Sequence, residues 1–202
     1  MKKRGFCVWL TGLPCSGKST IAKKLAEILS ERNEDVEILD GDIVRTFLNK
    51  DLGFTREDRI ENMRRVSVLS ELLTKHGVNV IVALVSPYRE GRQKARELLP
   101  KFVEVYVKAS LETCEKRDVK GMYRKAREGI IKNFTGIDDP YEEPLNPEVI
   151  CDTEKETVSE SVNKILKFLE ENGFIEKIEE ERGYTEEEEE EIKKRLEDLG
   201  YI

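Results

Sequence analysis

The chain has little that would suit a membrane span, a metal cluster or a nucleic-acid partner. No segment reaches the roughly 18 consecutive apolar residues that cross a bilayer, and the formal net charge of the 202 residues is −7. The four cysteines are scattered, without the paired spacing of a metal site; they are Cys7, Cys15, Cys114 and Cys151. We therefore expect a cytoplasmic protein with reduced thiols that binds neither membranes nor nucleic acid.

Histidine is also scarce, because His76 is the only one in the chain. It stands immediately before Gly77, a position typical of a helix C-terminus rather than of catalysis or metal binding. The hydrophobic share of 38% is enough for one domain with a substantial core.

What the chain does have is a regular alternation of short apolar runs with longer amphipathic segments. The runs FCVWLT, VEILD, VNVIVALV, FVEVYVKA and EVICDT predict buried strands. Helices are predicted over 19–30, 56–75, 89–99, 111–117 and 157–172. This alternation predicts an α/β fold with a mainly parallel sheet of about five strands flanked by helices.

Two segments break the alternation. Residues 118–147 are rich in Lys, Arg, Gly and Pro and contain no clear strand, which indicates a mobile lid within a domain of residues 1–175. Residues 176–202 are Glu-rich, and Thr185 with Glu188 forms a potential capping box for an acidic C-terminal helix. We favour a helix docked on its own domain, with a partner-binding or dimer helix as the alternative.

The segment GLPCSGKS, Gly12 to Ser19, matches the phosphate-binding P-loop pattern and lies between a predicted strand and a predicted helix. Backbone amides of such a loop surround phosphate oxygens, Lys18 neutralises the β- and γ-phosphates, and the Ser19 hydroxyl can ligate Mg²⁺. We expect ATP to be held by the loop residues and by two lid arginines: Gly12, Leu13, Pro14, Cys15, Ser16, Gly17, Lys18, Ser19, Thr20, Arg124 and Arg127. The sequence thus predicts a three-layer P-loop kinase fold.

A GTPase is disfavoured, because NKDL at Asn49–Leu52 lacks the final Asp of a guanine-reading motif and follows no strand. A kinase with a small acceptor fits the short chain and its basic lid better. Asp40 and Asp42 end the second predicted strand beside the P-loop. Asp40 can hold Mg²⁺ or accept the acceptor's proton, and Asp42 can contact substrate or cap a following helix.

Arginines are concentrated in GFTREDRIENMRR, residues 53–65, where four of them fall within thirteen positions of an acidic chain. Such a density indicates either paired charges on a solvated helix or an anion-binding site. We expect Arg56, Arg64 and Arg65, which alternate with acidic residues, to make mostly surface pairs.

Five segments, GLPCSGKST, DGDIVR, LGFTREDRIENMRR, SPYREGRQKARE and RDVKGMYRKAREGIIKNFTGIDDPYEEP, occur in this order. Together they resemble the adenylyl-sulfate kinase (APS kinase) family over about residues 4–172. The Pro14–Cys15 pair departs from the small residues usual at variable positions of that loop. The resemblance implies transfer of the ATP γ-phosphoryl group to the 3′-hydroxyl of adenosine 5′-phosphosulfate (APS), giving ADP and 3′-phosphoadenosine 5′-phosphosulfate.

The resemblance also implies how the acceptor is held. Arg45, Arg59 and Asn62 would bind the phosphosulfate, and Phe54 and Phe134 would sandwich the adenine. Asp42, the backbone at Ser86 and Pro87, and the Lys132 side chain would complete the pocket. A homodimer and an ATP sulfurylase partner are further expectations.

Three questions stay open at this point. The family carries a proposal that Ser86 is transiently phosphorylated, but no base adjoins Ser86 in sequence, and we favour direct transfer. The acceptor could be another nucleotide or a sugar acid. A regulatory subunit that docks on a partner through its acidic tail is disfavoured by the intact Lys18, Ser19 and Asp40.

Overall fold

The structure is a computed structural model that describes residues 3–177, 193–195 and 197. Its sheet has the strand order β2-β3-β1-β4-β5, and all the pairs are parallel. The strands are β1 (Cys7–Thr11), β2 (Val36–Asp40), β3 (Asn79–Ala83), β4 (Phe102–Lys108) and β5 (Val149–Asp152). The predicted parallel five-stranded sheet is therefore confirmed.

The named helices are α1 (Lys18–Glu31), α2 (Gly41–Phe47), α3 (Arg56–Lys75), α4 (Arg89–Leu98), α5 (Leu111–Lys116), α6 (Met122–Arg127) and α7 (Val158–Glu171). The described residues 193–195 and 197 are also helical. Within this part of the chain, no helix is long and apolar enough to cross a membrane. The five predicted helices agree with α1, α3, α4, α5 and α7 to within one residue at each end.

The sheet separates two hydrophobic layers because side chains alternate along each buried strand. On β1, Val8 and Leu10 face the layer that contains α1 and α7. Cys7 and Trp9 face the opposite layer, which contains α3 and α4. Every residue of β1 is buried, as expected for a central parallel strand. This packing fixes the end of β1, from which the P-loop begins.

The helix ends follow local side-chain chemistry. The Thr55 hydroxyl accepts a hydrogen bond from the Asp58 amide at the start of α3, and His76 is the C-cap of the same helix. The predicted C-terminal position of His76 is thus confirmed. Thr157 and Glu160 form a capping box at the start of α7.

Two short helices lie outside the predicted helix ranges. α2 follows β2 directly, and α6 lies within the predicted lid. The predicted capping box of the tail, at Thr185 and Glu188, lies outside the described residues.

Candidate active site

The loop between β1 and α1 turns through two glycines with left-handed backbone, Gly12 at φ 155° and Gly17 at φ 107°. A Cβ atom on Gly12 would lie 2.4 Å from the carbonyl oxygen of Val107, so this position requires glycine. Gly17 leads directly into α1, whose N-terminal N–H groups and dipole favour an anion. The phosphate loop therefore lies at the carboxyl edge of the sheet, as predicted.

The Lys18 ammonium lies inside this loop. Its Nζ atom donates hydrogen bonds to the carbonyl oxygens of Gly12, at 2.9 Å, and Leu13, at 2.7 Å. Burial lowers the pKa of Lys18 to about 8. A buried cation held by neutral carbonyls gains strongly from a phosphate anion nearby, because desolvation strengthens their attraction.

Asp40 and Ser19 meet at the edge of the loop. The Ser19 hydroxyl donates to the Asp40 carboxylate at 2.6 Å, although β3 lies between β1 and β2. Hydroxyl and carboxylate oxygens are suitable ligands for Mg²⁺, so these two residues fit the predicted metal role.

Asp42 does not cap α2, contrary to the alternative considered from the sequence. Asp40 is the N-cap, and its side chain accepts the Asp42 amide at 3.0 Å. The cap falls on Asp40 because α2 begins at once after β2, with no intervening turn. The exposed Asp42 carboxylate instead forms an ion pair with Lys120 of the lid, which brings α2 and the lid together.

Arg45, Phe54 and Arg59 form one cluster. The Arg45 guanidinium carbon lies 4.2 Å from the centre of the half-exposed Phe54 ring, and that of Arg59 lies 5.5 Å from it. Burial, followed by repulsion from Arg59, lowers the pKa of Arg45 from its usual high value. Two guanidiniums that repel each other beside an open aromatic ring form a favourable site for an anion attached to a flat base.

The Arg59 guanidinium already makes hydrogen bonds to two backbone carbonyls of the protein. Its Nε atom donates to the Phe54 carbonyl at 3.1 Å, and Nη2 donates to the Asn133 carbonyl at 2.5 Å. Asn62, predicted to share the phosphosulfate, is buried, and its side-chain oxygen accepts a hydrogen bond from Asn49.

Ser86 is buried, and its hydroxyl accepts a hydrogen bond from the Trp9 indole N–H at 2.9 Å. Its backbone is left-handed, with φ 47°, which is unusual for a residue with a side chain. The guanidinium of Arg92 donates to the Ser86 carbonyl at 2.5 Å. Pro87 is buried next to it, and its carbonyl accepts the Glu142 amide at 2.8 Å. The Ser86–Pro87 backbone is thus tightly fixed.

Phe134 is buried rather than open, with 8% of its surface exposed. Its ring packs edge-on against Tyr123 of α6, with the ring centres 4.9 Å apart. Tyr123 in turn donates to the carbonyl of Pro14 in the P-loop at 2.9 Å. Lys132, two residues earlier, is exposed. Phe134 therefore belongs to a small apolar cluster between the lid and the P-loop.

The remaining arginines of the 53–65 segment are paired on the surface, as predicted. Arg64 and Arg65 both bond to Glu61, Arg65 also bonds to Asp51, and Arg56 pairs with Glu90. The arginines of residues 53–65 therefore divide into those that make surface pairs and the buried Arg59.

The two lid arginines differ. Arg127 pairs with Glu115 at 2.6 Å, so it is engaged away from the P-loop. Arg124 is exposed, and its backbone amide donates to Asp118.

A cleft of about 480 Å³ opens on the α7 side of the P-loop. The P-loop contributes Cys15 and Gly17 to its lining, and Arg117 and Thr153 lie beside them. The Thr153 hydroxyl donates to the Ser16 carbonyl of the P-loop at 2.9 Å, and Arg117 donates to the hydroxyl and carbonyl oxygens of Thr153. The motif analysis missed both residues, because neither belongs to a P-loop pattern.

The cysteines are free, and three of the four are buried. Cys15 is half-buried within the loop at φ 60°. The reduced state of the thiols stays a prediction.

The phosphate loop lies at the carboxyl edge of a parallel sheet, and the Asp40 carboxylate accepts the Ser19 hydroxyl of this loop. The cluster of Arg45, Phe54 and Arg59 forms a second site. These features place the chain among the P-loop kinases. The chain belongs to the adenylylsulphate kinase family, whose family model matches residues 4–152.

Relatives extend this match beyond the family model. An adenylyl-sulfate kinase from Gloeothece citriformis is 57% identical over 175 residues, which are 87% of this chain and 99% of the relative. One from Halothermothrix orenii is 53% identical over 173 residues, 86% of this chain and 94% of the relative. The match therefore spans nearly the whole of each relative.

Solved structures agree. The APS kinase of Mycobacterium tuberculosis, in complex with AMPPNP and APS, is 42% identical, with a TM-score of 0.80 over 83% of this chain and 98% of that one. A gluconokinase from Sinorhizobium meliloti is 19% identical, with a TM-score of 0.57 over 85% of this chain and 95% of that one, and shares the fold alone.

Proposed function

We propose that this protein transfers the γ-phosphoryl group of ATP to the 3′-hydroxyl of adenosine 5′-phosphosulfate. The observation that carries the proposal is the placement of two separate anion sites at one edge of the sheet. One is the P-loop with Lys18, and the other is the cluster of Arg45, Phe54 and Arg59. The relatives named adenylyl-sulfate kinase support the same reaction.

The donor lies with its phosphates in the P-loop and its nucleoside in the cleft beside α7. Lys18 balances charge on the β- and γ-phosphates. Ser19 and Asp40 would hold Mg²⁺, which when bound neutralises phosphate charge. Arg124 is exposed on the lid and free to approach the donor, whereas Arg127 would first have to leave Glu115.

The acceptor lies against Phe54, with its phosphosulfate facing Arg45 and Arg59. The lid segment that carries Phe134 covers the other side of the base, and Asn62, Pro87 and Lys132 border the site. In this arrangement the 3′-hydroxyl faces the P-loop, and Asp40 is the carboxylate available to accept its proton. A phosphoryl transfer of this kind needs chiefly positioning and charge neutralisation.

Direct transfer is favoured over a phosphorylated Ser86. The Ser86 hydroxyl is buried and already accepts the Trp9 N–H, and the Ser86 carbonyl accepts a hydrogen bond from Arg92. None of these contacts is with a base that would activate a nucleophile.

The test is an ADP-release assay with APS, AMP and gluconate as competing acceptors. APS should be used at least a hundredfold more efficiently, in kcat/KM, than either alternative. Comparable turnover of AMP would show that the arginines do not read the sulfate, and turnover of gluconate alone would refute the proposal.

The assembly stays a prediction. A hexameric APS kinase from Thiobacillus denitrificans, 34% identical with a TM-score of 0.66, covers 86% of this chain, whereas this chain covers 30% of that longer one. We expect a homodimer here, which light scattering after gel filtration would measure directly. Binding of an ATP sulfurylase and a cytoplasmic location likewise remain expectations.

A further inference from the structure

The segment that carries Phe134 is a closed turn shaped by its own carboxylates. Asp138 accepts the amides of Asn133, at 2.7 Å, and Phe134, at 2.6 Å. The carbonyl of Asp139 accepts the Gly136 amide at 2.8 Å. These bonds give the turn one shape but do not fix its position relative to the rest of the acceptor site.

On the side of α3 and α4, the side chain of Asp139 joins the turn to the rest of the acceptor site. One carboxylate oxygen accepts the hydroxyl of Tyr88 at 2.7 Å, and the other lies 3.4 Å from Nε of Arg59. Tyr88 is 2% exposed, and the side chains of Asp139 and Arg59 are 13% and 9% exposed. Shielding from water makes these charge-assisted contacts stronger than surface pairs.

Tyr88 connects this contact to a third part of the site. It is the N-cap residue of α4 and directly follows the Ser86–Pro87 backbone. Burial, followed by its hydrogen bond to Asp139, raises the pKa of Tyr88 to about 12. The phenol therefore stays protonated at neutral pH and remains a donor to Asp139.

Arg59 completes the connection, because it donates to the carbonyls of both Phe54 and Asn133. Two of its three nitrogens are used in this way, and Nη1 makes no hydrogen bond to a described residue of the chain. The position of that nitrogen depends on how the carboxylate of Asp139 holds the guanidinium.

We propose that Tyr88 and Asp139 are positioning residues for the acceptor, a role that rests on the function proposed above. Asp139 fastens the Phe134 turn to α4 through Tyr88 and orients Arg59, so that Phe54, Phe134 and Nη1 of Arg59 stand at fixed separations. Tyr88 and Asp139 act through these neighbours, and their side chains make no hydrogen bond to the P-loop among the described residues. Their loss should therefore affect the acceptor far more than ATP.

Steady-state kinetics of Tyr88→Phe tests the proposal, because this change removes only the hydroxyl. The KM for APS should rise about tenfold, the effect of one lost hydrogen bond to a charged group, while the KM for ATP and kcat stay within about a factor of three. Asp139→Ala should raise the KM for APS further. Asp139→Asn should give a partial rescue, because its amide oxygen still accepts the Tyr88 proton.

The double variant Tyr88→Phe with Asp139→Ala should show less than the product of the two single effects, since both changes remove the hydrogen bond between the Tyr88 hydroxyl and the Asp139 carboxylate. Tyr106→Phe is the control, because Tyr106 is also a buried tyrosine and lies on β4, outside the contact between Tyr88 and Asp139. It should leave the KM for APS unchanged.

A Tyr88→Phe protein with an unchanged KM for APS, or with equal rises in both KM values, would overturn the inference. If Tyr88→Phe does not fold, the KM for APS and the KM for ATP of Asp139→Asn provide the same test. Calorimetric binding of APS to the ADP-loaded wild type separates the two proposals. An active wild type with unaltered variants refutes only the positioning role, whereas a wild type that neither binds nor phosphorylates APS refutes both.

Discussion

Replacement of Ser86 by alanine distinguishes a structural hydroxyl from a nucleophile. The change leaves the buried indole N–H of Trp9 without its 2.9 Å acceptor. An unsatisfied buried donor costs about 2 kcal/mol. For a domain of this size, in which Tm shifts by roughly 2–4 °C per kcal/mol, we expect Tm to fall by about 4–8 °C.

Ser86→Gly provides the matched comparison. It loses the same hydroxyl but relieves the left-handed backbone at φ 47°. Removal of that strain is worth roughly 1–2 kcal/mol, so Ser86→Gly should melt above Ser86→Ala. Thermal unfolding followed by circular dichroism measures both differences.

The catalytic outcome is the sharper part of this prediction. If transfer is direct, Ser86→Ala should lose at most about a hundredfold in kcat, as expected for a lost positioning contact. Wild-type protein incubated with labelled ATP alone should retain no acid-stable label. Stoichiometric label on Ser86 that is discharged by adding APS would refute the reasoning, whatever the melting temperatures.

Three further predictions concern the donor loop, the arginine cluster and the lid. Lys18→Ala should reduce kcat by orders of magnitude with the fold intact. Burial lowers the pKa of Lys18 to about 8, so the wild-type loop loses this charge as pH rises through 8, and ATP affinity should fall between pH 8 and 10. ATP binding should take up protons in that range, which calorimetry in two buffers would measure; an ATP affinity that does not change with pH would contradict the assignment. Arg59→Ala should raise the KM for APS much more than that for ATP, whereas replacement of the exposed Arg64, which pairs with Glu61, by Ala should change neither KM; equal kinetic effects would mean that the arginines act as a diffuse field and form no specific site. Protease cleavage within Lys120–Lys132 should be fast in the free protein and slowed by ADP with APS, and Phe134→Ala should remove the share of protection due to APS; equal resistance of the free protein would make Phe134 a permanent core residue.

The regular elements were predictable because each carries a complete local signal. β1 is apolar on both faces, and α3 has Thr55 at one end and His76 at the other. α2 was not predicted, since it is only seven residues long and its Ile43 and Phe47 side chains are exposed. The strand order also has no local signature, because it depends on pairing between strands that are distant in sequence.

The site was predictable to the extent that it is contiguous. The P-loop is one segment, and the pairing of Arg64 and Arg65 with Glu61 follows from helical spacing. The contact between Tyr88 and Asp139 joins residues 51 positions apart, and no periodicity relates them. Motif reasoning included both in quoted segments without a role, since such a role depends on tertiary contact.

The contact between Trp9 and Ser86 has an experimental consequence. Trp9 is the only tryptophan of the chain, and its indole N–H bonds to Ser86, which we propose borders the acceptor site. Indole emission is sensitive to the hydrogen bond and polarity at that nitrogen. Intrinsic fluorescence of the unlabelled protein therefore reports from one known position, and a titration with either substrate can be followed there without any engineered probe.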